Sequence, residues 1–195
     1  MQEPSDRETK RAAILLAVLQ VIAARGLDAV SFRSVAAQAG VSVGAVQHHF
    51  ATKQELIRAA VAFVIELAES RHGASGPIAG ANPRSPEDEL WALLAHALPV
   101  ASESPAGTSV FYSFVAASVA DPVIAEILGD AKSGVEDAVT RLLVELRPGV
   151  ADPHERARHL LALSDGLTLH VLIGRLSAAE AEASLRAALD ADRPA

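Results

Sequence analysis

The chain has 195 residues, half of them hydrophobic, 21% charged and none of them cysteine. That composition can bury a sizeable core, which excludes a disordered tail, and it excludes disulfides, thiolate zinc sites and cysteine nucleophiles. The net charge of −7 argues against a uniformly basic nucleic-acid binder, but residues 1–58 hold seven Lys/Arg against five Asp/Glu while the remainder holds ten against nineteen. The pattern is a mildly basic head on an acidic body.

The polar opening, MQEPSDRETKR, reads as no secretory leader, and no apolar run approaches the roughly 18 residues of a membrane span. With the missing cysteines, this gives the expectation of a cytoplasmic protein with no membrane partner. Apolar residues then recur at three- and four-residue spacing, which predicts helices throughout. Arg7–Arg25 is the first, with Ile14, Leu15, Val18, Leu19 and Ile22 on one face and Gly26 as the stop. Ser31 caps a short helix over Phe32–Ala39, ended by Gly40, and Ser42 caps another over Val43–His49. Thr52 opens a long helix to about Arg71, with Glu55 at capping-box spacing. The Gly/Pro/Ser-rich stretch His72–Pro86 reads as a linker. Helices are predicted beyond it near 87–98, 106–119, 122–147, 153–174 and 178–190. The fold class is all-α: a three-helix head near 1–50, then a larger helical body over 51–195.

The segment GVSVGAVQHHFATKQEL, Gly40–Leu56, carries the functional signal. Two short helices meet at Gly40-Val41-Ser42, with Ala36 small enough for close approach and Val35, Ala39, Val41 and Val46 as the seam. This is helix-turn-helix spacing, in which the second helix offers its N-terminal end to the major groove. Val43, Gly44 and Ala45 are small and allow close approach, while Ser42, Gln47, His48 and Lys53 are donors suited to phosphates or base edges. Thr52 adds a hydroxyl at a helix N-terminus. A metal site at His48-His49 is not expected, because adjacent residues point about 100° apart on a helix. Phe50 reads as core.

Phe32–Leu56 resembles the DNA-binding head of the TetR family of transcriptional regulators. Ala36, Gly40, Val41, Ser42, Gly44, His49, Phe50, Thr52 and Lys53 match the family pattern, and Gln47 stands where the family usually has Tyr. The resemblance implies a DNA-binding surface made of Arg33, Ser42, Val43, Gly44, Ala45, Gln47, His48, His49, Thr52 and Lys53. It also implies a homodimer paired through the helices near 153–174 and 178–190, and a repressor released from a pseudo-palindromic operator by a small effector.

In the body, Leu160, Leu163, Leu167 and Val171 form one stripe, and Leu161, Leu169, Leu172 and Ile173 lie on other sides. A helix apolar on several faces needs several covers, which agrees with a second subunit. Trp91, Leu94, His96, Phe111, Phe114, Val115, Asp165 and His170 are candidates for a mainly apolar effector pocket, suited to a lipophilic molecule. Asp165 needs a partner in its apolar helix, for which Arg156 or Arg158 across a dimer is a candidate. No cofactor is expected and no catalytic motif stands out, so the chain reads as no enzyme. A helical carrier or enzyme with a vestigial head is the alternative.

Overall fold

The computed structural model describes residues 6–72, 85–98 and 105–191. The described residues are helical throughout: α1 Asp6–Arg25, α2 Phe32–Ala39, α3 Val43–His49, α4 Lys53–His72, α5 Pro86–Ala95, α6 Pro105–Ser118, α7 Pro122–Leu146, α8 Pro153–Leu172 and α9 Ala178–Asp190. These bounds follow the periodicity to within a residue or two, with one larger difference. α5 ends at Ala95, three residues before the predicted 98, and the chain turns there, with Leu98 N–H donating to the Ala95 carbonyl at 2.9 Å. A single 3-10 turn at Leu27–Ala29 follows Gly26. The expected linker over His72–Pro86 falls almost wholly outside the described residues.

The chain forms two compact units. One holds the chain to Glu69 together with Ser109–Leu128, and the other holds Ser70–Thr108 and the chain from Gly129. In the first, α1 buries Ile14, Leu15, Val18, Val21 and Ile22 against Val35, Val46, Phe50, Leu56 and Val61. The start of α4 belongs with the head because Leu56, Ala60 and Val61 are all fully buried in that core. The first unit therefore extends beyond the head expected over 1–50. Phe114 and Ile124 complete the core.

One buried ion pair crosses this unit. Asp121, 7% exposed, precedes α7 and accepts the Val123 backbone N–H at 3.1 Å. Its carboxylate takes Arg58 Nε at 3.0 Å and Nη2 at 2.9 Å, and Gln54 Nε2 at 3.0 Å. The Arg58 guanidinium, then Gln54, hold the Asp121 carboxyl down at about 2. A bidentate Arg fork with backbone support satisfies the carboxylate, which is what makes its burial tolerable.

The second unit packs Leu90, Leu94 and Leu98 with Val139, Leu143, Leu160, Leu185 and Leu189. Ser177 and Glu180 form a reciprocal capping box at the start of α9, which holds the Glu180 carboxyl below its usual value. The buried row of α8 is Ala157, Leu160, Leu161, Ser164 and Thr168. Ser164 hydroxyl donates to the Leu94 carbonyl at 2.6 Å and Thr168 hydroxyl to the Ser164 carbonyl, so two polar side chains sit in this row without loss. The expected stripe through Leu163 is thereby corrected, since Leu163 is 37% exposed and faces away from the row.

Candidate nucleic-acid interface

The turn between α2 and α3 is set by one glycine. Gly40 has φ 68°, the left-handed region that a side chain rarely adopts, and the Ala36 carbonyl accepts both the Gly40 and the Val41 N–H. Ser42 then caps α3 by accepting the Ala45 N–H at 3.1 Å. Val46 is fully buried and Phe50 is 2% exposed, which fixes how α3 is rolled. At about 100° per residue, Gly44 and His48 lie opposite Val46, with Val43, Gln47 and Ala45 beside them.

The ten residues expected at DNA fall into one sequence-local surface. Arg33, Ser42, Val43, Gly44, Gln47, His48, Thr52 and Lys53 are exposed, and Ala45 and His49 are half-buried. Gly44 has no internal reason to be glycine: a Cβ there would meet nothing nearer than Ser42 Oγ at 3.9 Å. Its missing side chain is therefore available for close approach from outside. At the start of α4, Thr52 Oγ1 accepts the Glu55 N–H at 3.0 Å, while the Glu55 carboxylate reaches the Ala51 N–H at 2.8 Å. The reciprocal bond falls one residue earlier than the expected capping box, and it leaves Lys53 free to face solvent.

Sequence reasoning missed that the cations of α1 lie near His49. Burial first, then the charges of His48, Arg7, Arg11 and Lys10, lower the His49 pKa below 6.5. Those charges are felt because the start of α1 runs close to the end of α3, and Arg11 lies 5.6 Å from the Phe50 ring centroid. Among these, Lys10 also pairs with Asp6 at 2.7 Å. The i, i+3, i+4 spacing of Arg7, Lys10 and Arg11 was the available signal, one basic stripe on one helix face. Burial and the neighbouring cations both favour the neutral form of the half-buried His49 imidazole.

The candidates for an effector pocket are divided between the two units. Phe111, Phe114 and Val115 belong to the first unit, and Trp91, Leu94, His96, Asp165 and His170 to the second. Leu94 and Phe114 are fully buried packing residues, and Val115 and His170 are exposed. His96 caps α5, its Nδ1 3.2 Å from the Leu93 carbonyl. Asp165 pairs with Lys132 of α7 at 2.7 Å, which corrects the expected arginine partner. Arg158 pairs instead with Glu136, and Arg156 donates to the Ala188 carbonyl. No group of three or more His, Cys, Asp or Glu able to hold a metal occurs among the described residues, and none of their helices is long and apolar enough to cross a membrane.

Known proteins match this layout along nearly the whole chain. Residues 14–60 match the family model of bacterial regulatory proteins of the tetR family, and residues 86–192 match that of the C-terminal region of BetI-type transcriptional repressors. The HTH-type transcriptional regulator PksA of Bacillus subtilis is 28% identical over 178 residues, covering 89% of this chain and 83% of its own. Among solved structures, a transcriptional regulator from Rhodococcus sp. Rha1 is 28% identical with a TM-score of 0.75, covering 96% of this chain and 94% of that one. The multidrug binding protein EbrR, solved with ethidium, is 25% identical with a TM-score of 0.64, covering 96% and 99%. PksA and the Rhodococcus protein are regulators, not enzymes. With both family models matched and the helix-turn-helix in place, the chain belongs to the TetR family of bacterial transcriptional regulators.

Proposed function

We propose that the protein is a repressor that binds a pseudo-palindromic operator as a homodimer and leaves it when a small lipophilic effector binds the body. The observation that carries the DNA-facing part is α3: its inward residue is fully buried and its outward ridge is small or donor-bearing. Val43 and Ala45 suit thymine methyls, Gln47 suits an adenine edge, and Lys53, Thr52, His48 and His49 suit phosphates. Arg33 extends the same surface, and Arg7 and Arg11 add charge at its flank.

Dimerisation rests on α8. Leu169 is 46% and Ile173 62% exposed, on the side away from the buried row and in line with Ala162 and Gly166. Exposed leucine and isoleucine flanking small residues form a face suited to a second copy of the same helix. Replacing Leu169 by Glu is expected to yield a monomer on analytical ultracentrifugation with its helical circular dichroism retained, and to weaken operator binding sharply. A dimer of unchanged stability in that variant would remove α8 from the interface.

The direct test of operator binding is fluorescence anisotropy with labelled DNA from upstream of the coding region, random DNA as competitor and salt varied. Specific, salt-steep binding is expected. Lys53→Ala should weaken binding to all sequences alike and flatten the log–log salt slope by about one per protomer. Substituting Gln47 or Ala45 should instead change which sequence is preferred. If Lys53→Ala altered neither affinity nor slope, the start of α4 would not lie on the phosphate backbone.

A further inference from the structure

Two imidazoles stand side by side on the surface assigned to DNA, and nothing said of that surface so far uses their capacity to gain a proton. His48 is exposed on the ridge opposite Val46, while His49 is half-buried beside Phe50. Their ring centroids lie 5.5 Å apart, with the rings inclined at 75°. No hydrogen bond to a described residue engages either ring.

The head surrounds this pair with positive charge. The charges that bear on His49 come from two elements: His48 on α3, and Arg7, Arg11 and Lys10 on the first turns of α1. The acidic groups of the adjoining segments are committed elsewhere. Asp6 pairs with Lys10 at 2.7 Å, and Glu55 accepts the Ala51 N–H at 2.8 Å. Without DNA, the His49 imidazole is therefore held neutral near pH 7.

A DNA phosphate reverses that balance. An opposite charge within about 4–6 Å favours the charged form of a titrating group. A neutral imidazole has one nitrogen with which to donate to a phosphate oxygen, whereas an imidazolium donates from both and adds its charge to the bond. The two rings are close enough for a proton on one to oppose a proton on the other, so the pair gains about one between them.

We propose that the His48-His49 pair takes up about one proton per protomer when the protein binds DNA, so that operator affinity rises as pH falls from about 8 to about 6. The sign follows from linkage: the bound state holds more protons than the free state, and lowering the pH favours it. Phosphodiesters keep their charge throughout that range, so the DNA contributes no titration of its own. This proton linkage rests on the operator reading given above and adds pH to it as a regulator.

The full-length protein is titrated with the labelled upstream DNA at fixed salt from pH 8 to pH 6. Binding should be about tenfold tighter or more at the acid end. Calorimetry at pH 7 in PIPES and in imidazole buffer, whose ionisation heats differ, should give binding heats that differ by the equivalent of about one proton per protomer. The double variant His48→Gln/His49→Gln keeps a donor at each position but cannot take up a proton. It should bind at pH 8 within a few-fold of the native chain and gain nothing at pH 6. The other five of the seven histidines lie at position 72 or beyond, so the same variant separates their titration from that of the pair. Specific binding independent of pH, equal heats in the two buffers, or a native pH dependence in the folded double variant would each overturn the proton linkage and leave the operator reading standing. No specific binding at any pH would remove both.

Discussion

Phe50→Ala is expected to lower stability by about 3–5 kcal/mol, the range for deleting a fully buried aromatic ring. Phe50 caps α3, is 2% exposed, and packs in the core shared by α1, α2 and the start of α4. In a protein of this size that loss corresponds to a Tm lower by about ten degrees. DNA binding should fall with it even at temperatures where the variant is mostly folded, because the same ring fixes the roll of α3 and the approach of Arg11. The checks are urea unfolding and anisotropy on the same preparation. A Phe50→Leu variant should recover most of the stability, since it refills the site with an apolar side chain. Operator affinity lost in Phe50→Ala with an unchanged unfolding midpoint would show that Phe50 acts at the DNA surface and not through the core.

The second large effect concerns Asp121. Its folded carboxyl is held at about 2, below the unfolded value of 3.8. A depressed carboxyl contributes stability that is fully present above the unfolded pKa and is lost as pH falls through the folded one. The window is therefore from about pH 4 down to about pH 2. Asp121→Asn keeps the shape but loses the charge that Arg58 Nε and Nη2 address. At neutral pH the variant should melt several degrees lower than the native chain, and the gap should narrow steadily across that window. Other carboxylates titrate there too, but they do so in both proteins and cancel in the difference. A gap that is constant from neutral pH to pH 2 would mean that the amide fails for reasons of packing and not of charge.

Most of the fold was legible in the sequence because the cues are local. Gly26 and Gly40 stop helices, and Ser31, Ser42, Ser85 and Ser177 start them. The repeat of Ile14, Leu15, Val18 and Ile22 marks the buried side of α1 without reference to anything distant. The surface proposed to face DNA is local for the same reason, since its ten residues lie within twenty-one positions of one another. What the sequence hid depends on partners far along the chain. Asp121 meets Arg58 across 63 positions and Asp165 meets Lys132 across 33. Neither spacing has any periodic signature, so the lysine could not be chosen over Arg156 or Arg158. The basic stripe of α1 was visible as a pattern, but its placement beside His49 follows only from how α1 crosses the end of α3. Leu163 shows the converse error. Its spacing placed it in the buried row, whereas Ser164 and Thr168 occupy that row by donating to carbonyls, which hydropathy does not register.

The seven residues of α3 are too few to hold a helix alone in water, so its shape is borrowed from Val46 and Phe50. Those two positions are its buried anchors, Ala45 and His49 are half-buried beside them, and the outward ones are exposed. Changes at Val43, Gly44, Gln47 or His48 thus leave the scaffold indifferent. A lineage carrying this head can drift from one operator to another by surface substitutions alone, and a laboratory library confined to those four positions should return folded proteins almost without exception, each a sampling of sequence preference at constant architecture.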